Sequence, residues 1–119
     1  MAARRKKILV VDDSRSFLAY ITVLLKKMGF FKINLAESGM EAIKLMNIWL
    51  PDIILLDLIM PGLDGIATLR SIRGTKQTAS VPVIMVTGSR DSKKQKECIR
   101  HGANQVIFKP MTLDRLNRA

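Results

Sequence analysis

Four short runs of uninterrupted apolar residues, Ile8 to Val11, Ile53 to Leu56, Val83 to Val86 and Val106 to Phe108, constrain this chain more than any other feature. Successive side chains of a strand point to opposite faces, so a run without alternation needs cover on both sides. Sheets covered on both sides are normally parallel, and parallel neighbours need crossovers of a dozen or more residues. All four runs are separated by intervals long enough to hold helices, and so are the first run and Lys32-Ile33-Asn34-Leu35, which alternates as an edge strand does.

The intervals read as helices. Phe17, Ile21, Leu24 and Met28 fall at helical spacing, with Gly29 as the stop. Ser38 and Glu41 form a capping box ahead of Ile43 and Met46, so a second helix precedes Pro51. Asp64 caps a third helix carrying Ile66, Leu69 and Ile72, closed by Gly74. A fourth runs from about Asp91 to His101 and ends at Gly102, with a thin apolar face of Cys98 and Ile99, and a fifth begins near Thr112. Alternating strands and helices with right-handed crossovers predict an α/β doubly wound parallel sheet of five strands, flavodoxin-like, with helices on both faces. Placing the most continuous runs at the centre and the alternating and short ones at the edges gives the order 2-1-3-4-5. The crevice of such a sheet opens at the carboxyl ends of the strands, between strands one and three.

Composition narrows the setting. At 119 residues the chain is the size of one domain, its apolar stretches are too short to cross a bilayer, and MAARRKK is followed by too few apolar residues for a secretory signal. Cys98, alone, forms no internal disulfide, in keeping with a reducing compartment, and the cytoplasm is the expected location. Twenty Lys and Arg against ten Asp and Glu give a net charge of +10. That balance invites nucleic acid. In the sequence, however, the charges are scattered and not interleaved with aromatics, so a solvated surface is expected, with neither nucleic acid nor a membrane as partner. The basic residues Arg90, Lys93, Lys94, Lys96 and Arg100 read as one exposed helix. His101 is expected at a solvated helix end, Trp49 half-buried after the second helix, and Cys98 packed on a helix face.

Strand one ends in Asp12-Asp13 and strand three in Asp57, which brings three carboxylates to the switch point. Singly, Asp12 or Asp13 reads as a helix cap and Asp57 as a turn residue. Together they demand compensation, since two carboxylates ~5 Å apart repel by about 3 kcal/mol at an effective dielectric of 20. All-oxygen ligands favour Mg²⁺ over zinc. Strand four ends in Thr87 and strand five in Lys109-Pro110, adding a hydroxyl and an ammonium at the same rim. A cis Lys109–Pro110 bond in a tight turn would aim the lysine back at the carboxylates.

The set Asp12-Asp13, Asp57, Thr87 and Lys109-Pro110, with Met60-Pro61-Gly62 and Asp64-Gly65 following Asp57, resembles the response regulator receiver domain of two-component signalling over nearly the whole chain. The resemblance implies a single receiver domain over 1–119 that is a phosphoacceptor, not an enzyme in its own right, although it assists its own phosphoryl transfer and dephosphorylation. It implies that Asp57 accepts a phosphoryl group from a sensor histidine kinase or phosphotransfer protein. It further implies that Asp13, Asp57 and the Ile59 carbonyl hold Mg²⁺, with Asp12 acting through water, while Lys109 offsets phosphoryl charge. Thr87 would shift toward the new oxygens and carry the change to the face of helix four, strand five and helix five. The implied receiver of the signal is a downstream effector, a missing output domain or a phosphorylation-dependent homodimer.

Two positions depart from the family. Val106 stands three positions before the lysine, where an aromatic switch residue is usual, and Phe108 shares its strand face only by parity. The last helix, Thr112 to Ala119, allows about two turns, which favours a domain cut from a longer protein. Apolar Ile59, two residues after the acceptor, cannot orient a hydrolytic water, so a long-lived phosphorylated state is expected. Two rivals remain. A flavodoxin-like electron carrier would need a phosphate loop where Asp12-Asp13 repels phosphate. A degenerate receiver would act as a phosphorylation-independent protein- or nucleic-acid-binding module.

Overall fold

The structure, a computed structural model, describes residues 5–110. Five strands and four helices alternate: β1 (Lys7–Val11), α1 (Arg15–Lys27), β2 (Lys32–Ala36), α2 (Gly39–Met46), β3 (Ile53–Asp57), α3 (Gly65–Gly74), β4 (Val83–Thr87), α4 (Ser92–Arg100) and β5 (Gln105–Phe108). All strand pairs are parallel, in the order β2-β1-β3-β4-β5. The expected fold class and strand order hold. The expected fifth helix near Thr112 lies outside the described residues.

Each apolar run divides its side chains between two cores, which is why it does not alternate. Leu9, Val11, Ile54, Leu56, Val83 and Met85 face the helices α2, α3 and α4 through Ala42, Leu69, Ile72 and Cys98. Ile8, Val10, Leu55 and Val86 face α1 through Leu18, Ile21, Leu24 and Leu25. At about 25 cal/mol per Å² of apolar surface, these two layers are the main favourable contribution to folding.

Helix ends follow the local chemistry. Ser14, Ser38, Asp64 and Asp91 cap the four helices by accepting from Phe17, Glu41, Ala67 and Lys93 backbone N–H groups. Gly29 and Gly102 end α1 and α4 at φ of 94° and 103°. Three expectations shift. The apolar stripe of α1 is turned by one residue, burying Leu18 and Leu25 and leaving Phe17 and Met28 at its half-buried margins. Ile99 is 52% exposed, so Cys98 alone anchors the inner face of α4. Gly74 is the last residue of α3, but it has no left-handed φ, and Thr75 closes the helix by donating to the Ile72 carbonyl.

Candidate functional site

β3 and β4 each run one residue beyond their apolar stretch, so Asp57 and Thr87 sit within the ladder, Asp57 opposite Val86 and Thr87 opposite Phe108. This fixes both side chains at the carboxyl edge. Asp12 follows directly on β1, its backbone N–H donating to the Ala36 carbonyl at 3.0 Å. Its Oδ1 accepts from the Ser14 backbone N–H at 2.8 Å, so Asp12 braces the turn into α1 while Ser14 does the capping. Neither Asp12 nor Asp13 is the helix cap.

Gly65 determines how closely α3 approaches this edge. Its N–H donates to the Leu58 carbonyl at 3.0 Å, and a Cβ there would overlap the Asp57 carbonyl oxygen and the Leu58 backbone. Only glycine lets the helix start against the residue that follows the central carboxylate.

The sequence-predicted groups converge. Carboxylate oxygens of Asp12, Asp13 and Asp57 lie within 4.8 Å of one another, with Asp12 and Asp57 buried and Asp13 exposed. Lys109 Nζ donates to Asp12 Oδ2 at 2.8 Å and stands 3.9 Å from Asp57 Oδ1. The Lys109–Pro110 peptide bond is cis, as expected, and the Lys109 N–H donates to the Thr87 carbonyl at 2.8 Å. Thr87 is fully buried, its Oγ1 accepting from the Ser89 N–H at 3.0 Å. Ile59 contributes its backbone N–H, 3.5 Å from Asp57 Oδ1, while its side chain is 52% exposed.

The Asp57 carboxyl has its pKa pushed up to about 6. Burial is the main cause, since a desolvated carboxylate favours its neutral form, and the Asp12 charge adds to it. Lys109 and the Ile59 N–H pull in the opposite direction, and Asp13 adds a smaller upward push. Three carboxylates facing one ammonium leave an excess of negative charge, two of its groups being buried. Hard oxygen donors at this spacing fit a hard dication such as Mg²⁺, which needs few protein ligands and keeps several waters.

Other side chains at the rim escaped sequence reasoning. The Phe17 ring lies 4.2 Å beneath the Lys109 ammonium, a cation–π contact that helps hold the lysine over the acids. A phenylalanine at helical spacing reads as core, so nothing in the sequence distinguishes it. Arg90 places its guanidinium 4.7 Å from the Phe108 ring, and Val106 packs half-buried against the core beneath α4. His101 caps the end of α4 but is half-buried where a solvated position was expected, and Trp49 is half-buried as expected.

Comparison with known proteins agrees with this geometry. Residues 8–119 match the response regulator receiver domain family. PilH of Pseudomonas aeruginosa is 33% identical over 105 residues, covering 88% of this chain and 86% of PilH. The DNA-binding response regulator MtrA of Mycobacterium tuberculosis is 34% identical over 110 residues, 92% of this chain but only 46% of MtrA. Chemotaxis protein CheY4 of Vibrio cholerae superposes with a TM-score of 0.88 at 27% identity, covering 95% of this chain and 93% of CheY4. The receiver domain of sensor histidine kinase PA1611 from Pseudomonas aeruginosa, which has a magnesium ion coordinated in its active site cleft, gives 0.86 at 28% identity, covering 95% and 92%. The chain belongs to the response regulator receiver domain family.

Proposed function

We propose that this chain is the phosphoacceptor module of a two-component system and that Asp57 receives the phosphoryl group. The observation that carries it is one buried carboxylate at the carboxyl end of β3, with two further carboxylates within 4.8 Å and the Lys109 ammonium 3.9 Å away. A carboxylate oxygen of Asp57 attacks the phosphorus of a phosphohistidine on a histidine kinase or phosphotransfer protein. The O–P bond forms as the N–P bond breaks, and the imidazole leaves with the electron pair and takes a proton from solvent. Asp13, Asp57 and the Ile59 carbonyl, with Asp12 through a water, would hold Mg²⁺, which when bound neutralises the carboxylates and offsets charge on the phosphoryl oxygens.

The protein's own groups do the positioning. Lys109, steered by Asp12 and the Phe17 ring, presents its ammonium to the equatorial oxygens. The product adds about −1.5 to −2 charges beside Thr87. The Thr87 hydroxyl, which now accepts from Ser89, can rotate to donate to a phosphoryl oxygen and draw the β4–α4 loop inward. The output is a downstream effector, a further domain such as the DNA-binding one that MtrA's name implies, or a phosphorylated homodimer.

Incubation with acetyl phosphate and Mg²⁺ is expected to add one phosphoryl group by intact-protein mass, lost in Asp57→Asn and absent under EDTA. Labelling that survives Asp57→Asn rejects the assignment. A chain that never takes label is instead a phosphorylation-independent binding module.

A further inference from the structure

The edge of the sheet opposite the carboxylates combines exposed apolar side chains with a concentration of lysines that the linear sequence hides. β1 and β2 begin side by side, with Lys7 opposite Lys32 in the register. The Asp52 N–H donates to the Lys7 carbonyl at 2.7 Å, and the Lys7 ammonium lies 5.9 Å from the Trp49 ring, so the segment entering β3 adjoins the same edge. The last turn of α1 supplies Lys26 and Lys27, and the last turn of α2 supplies Lys44. With exposed Lys6, these segments carry six lysines, and the only carboxylate in residues 5–7, 26–32 and 44–52 is Asp52, which accepts from the Lys7 backbone N–H.

Three large apolar side chains are exposed on those segments: Ile48 at 85%, Phe31 at 60% and Leu50 at 46%. Ile48 is the most exposed large hydrophobic among the described residues. The patch is neither purely charged nor purely apolar. Nucleic acid would use the cations and one aromatic face, but it offers nothing to Ile48 and Leu50, which have no π-surface for a base. A bilayer with anionic headgroups uses both parts: lysines meet the headgroups, and short apolar side chains enter the interface beneath them.

We infer that the amino-terminal edge of the sheet docks on an anionic lipid surface, with Ile48, Phe31 and Leu50 entering the interface and the surrounding lysines against the headgroups. Docking of this kind needs no spanning helix, and none of the described helices is long and apolar enough to span. The five-residue central strands, at about 3.3 Å per residue, keep the carboxylate site roughly 16 Å away and facing solvent. A docked domain therefore stays open to a phosphodonor.

Trp49, the single tryptophan, reports the contact directly. With the full chain and vesicles of phosphatidylcholine containing phosphatidylglycerol, its emission is expected to shift to the blue and the protein to co-sediment, with neither effect on phosphatidylcholine alone. High salt should release it. Lys26→Glu with Lys27→Glu is expected to weaken binding at least about thirty-fold, and Ile48→Asp about tenfold. Lys93→Glu with Lys96→Glu on α4 removes the same net charge and should change binding less than twofold. Circular dichroism and urea midpoints verify that each variant is folded. Equal binding to neutral vesicles, no binding, equal loss in the α4 pair, or a preference for a single-stranded oligonucleotide that depends on the same lysines would each overturn the inference.

Discussion

Asp57 holds its charge at a cost that a pH titration can read. Its pKa in the fold is about 6 against an ordinary 3.8, so a proton binds the folded chain more tightly than the unfolded one. The stabilising effect of that proton is fully present below about pH 4 and is lost as pH rises through 6, where the carboxylate becomes charged among Asp12 and Asp13. Asp57→Asn removes the titration. In EDTA at about pH 8 the variant is expected to be more stable than the parent by about 2 kcal/mol, the gain fading toward about pH 4. Urea midpoints at the two pH values measure this, and equal stabilisation at both would contradict the burial argument. Two positions on, Ile59 offers only a methyl-bearing, half-exposed side chain beside the acceptor. Replacing it with asparagine is expected to hasten loss of label from the phosphorylated protein several-fold. Unchanged decay would show that the residue does not govern water access. The acids, Thr87 and Lys109 were legible because each follows an apolar run, and the strand order then brings those ends together. Phe17 was not, because its role depends on the path that Lys109 takes.

At the scale of elements, α4 is held at one end far more firmly than along its length. Cys98 is its only fully buried side chain, whereas the turn after it is gripped by Arg73 from α3. The guanidinium donates twice to the Gly102 carbonyl, at 3.0 and 2.9 Å, to the Val81 and Thr78 carbonyls at 2.7 and 3.3 Å, and to Asn104 Oδ1 at 3.0 Å. Asn104 Oδ1 in turn accepts from the Val83 N–H, so one side chain ties α3, the start of β4 and the α4–β5 turn together. Gly102 is left-handed at φ 103°, and a Cβ there would lie 2.9 Å from Arg73 Nε. Arg73→Lys keeps the charge but lacks the planar fork, and is expected to lower stability by about 2 kcal/mol. Chemical denaturation measures the loss, and a neutral result would mean that water replaces the fork. The exposed basic face of α4 was visible in sequence. The clamp was not, since all but one of its acceptors are backbone carbonyls, which a sequence does not distinguish.

For the whole molecule, folding sorts charges that look scattered along the chain. Helix caps and strand ends bring Asp12, Asp13, Asp57, Asp64 and Asp91 to the carboxyl edge, while Lys6, Lys7, Lys26, Lys27, Lys32 and Lys44 gather at the other. The strand runs and caps made this fold legible in detail; the sorting was not, because it depends on which helix ends share an edge. Among the described residues the ion pairs are Arg15 with Glu37, and Lys109 with Asp12 and Asp57. The excess of Lys and Arg over Asp and Glu among the described residues is therefore largely self-repulsion that the folded state concentrates and the unfolded chain relaxes. Screening should favour the fold: raising sodium chloride from about 0.02 to 0.5 M shortens the Debye length to a few Å and is expected to raise stability by about 1 kcal/mol. Lys27→Glu, which removes one edge repulsion, should raise stability at low salt and lose that advantage at high salt. If salt instead lowered the urea midpoint, the Lys109 pairs would outweigh the lysine edge, and the carboxylate site would dominate the electrostatics of the molecule.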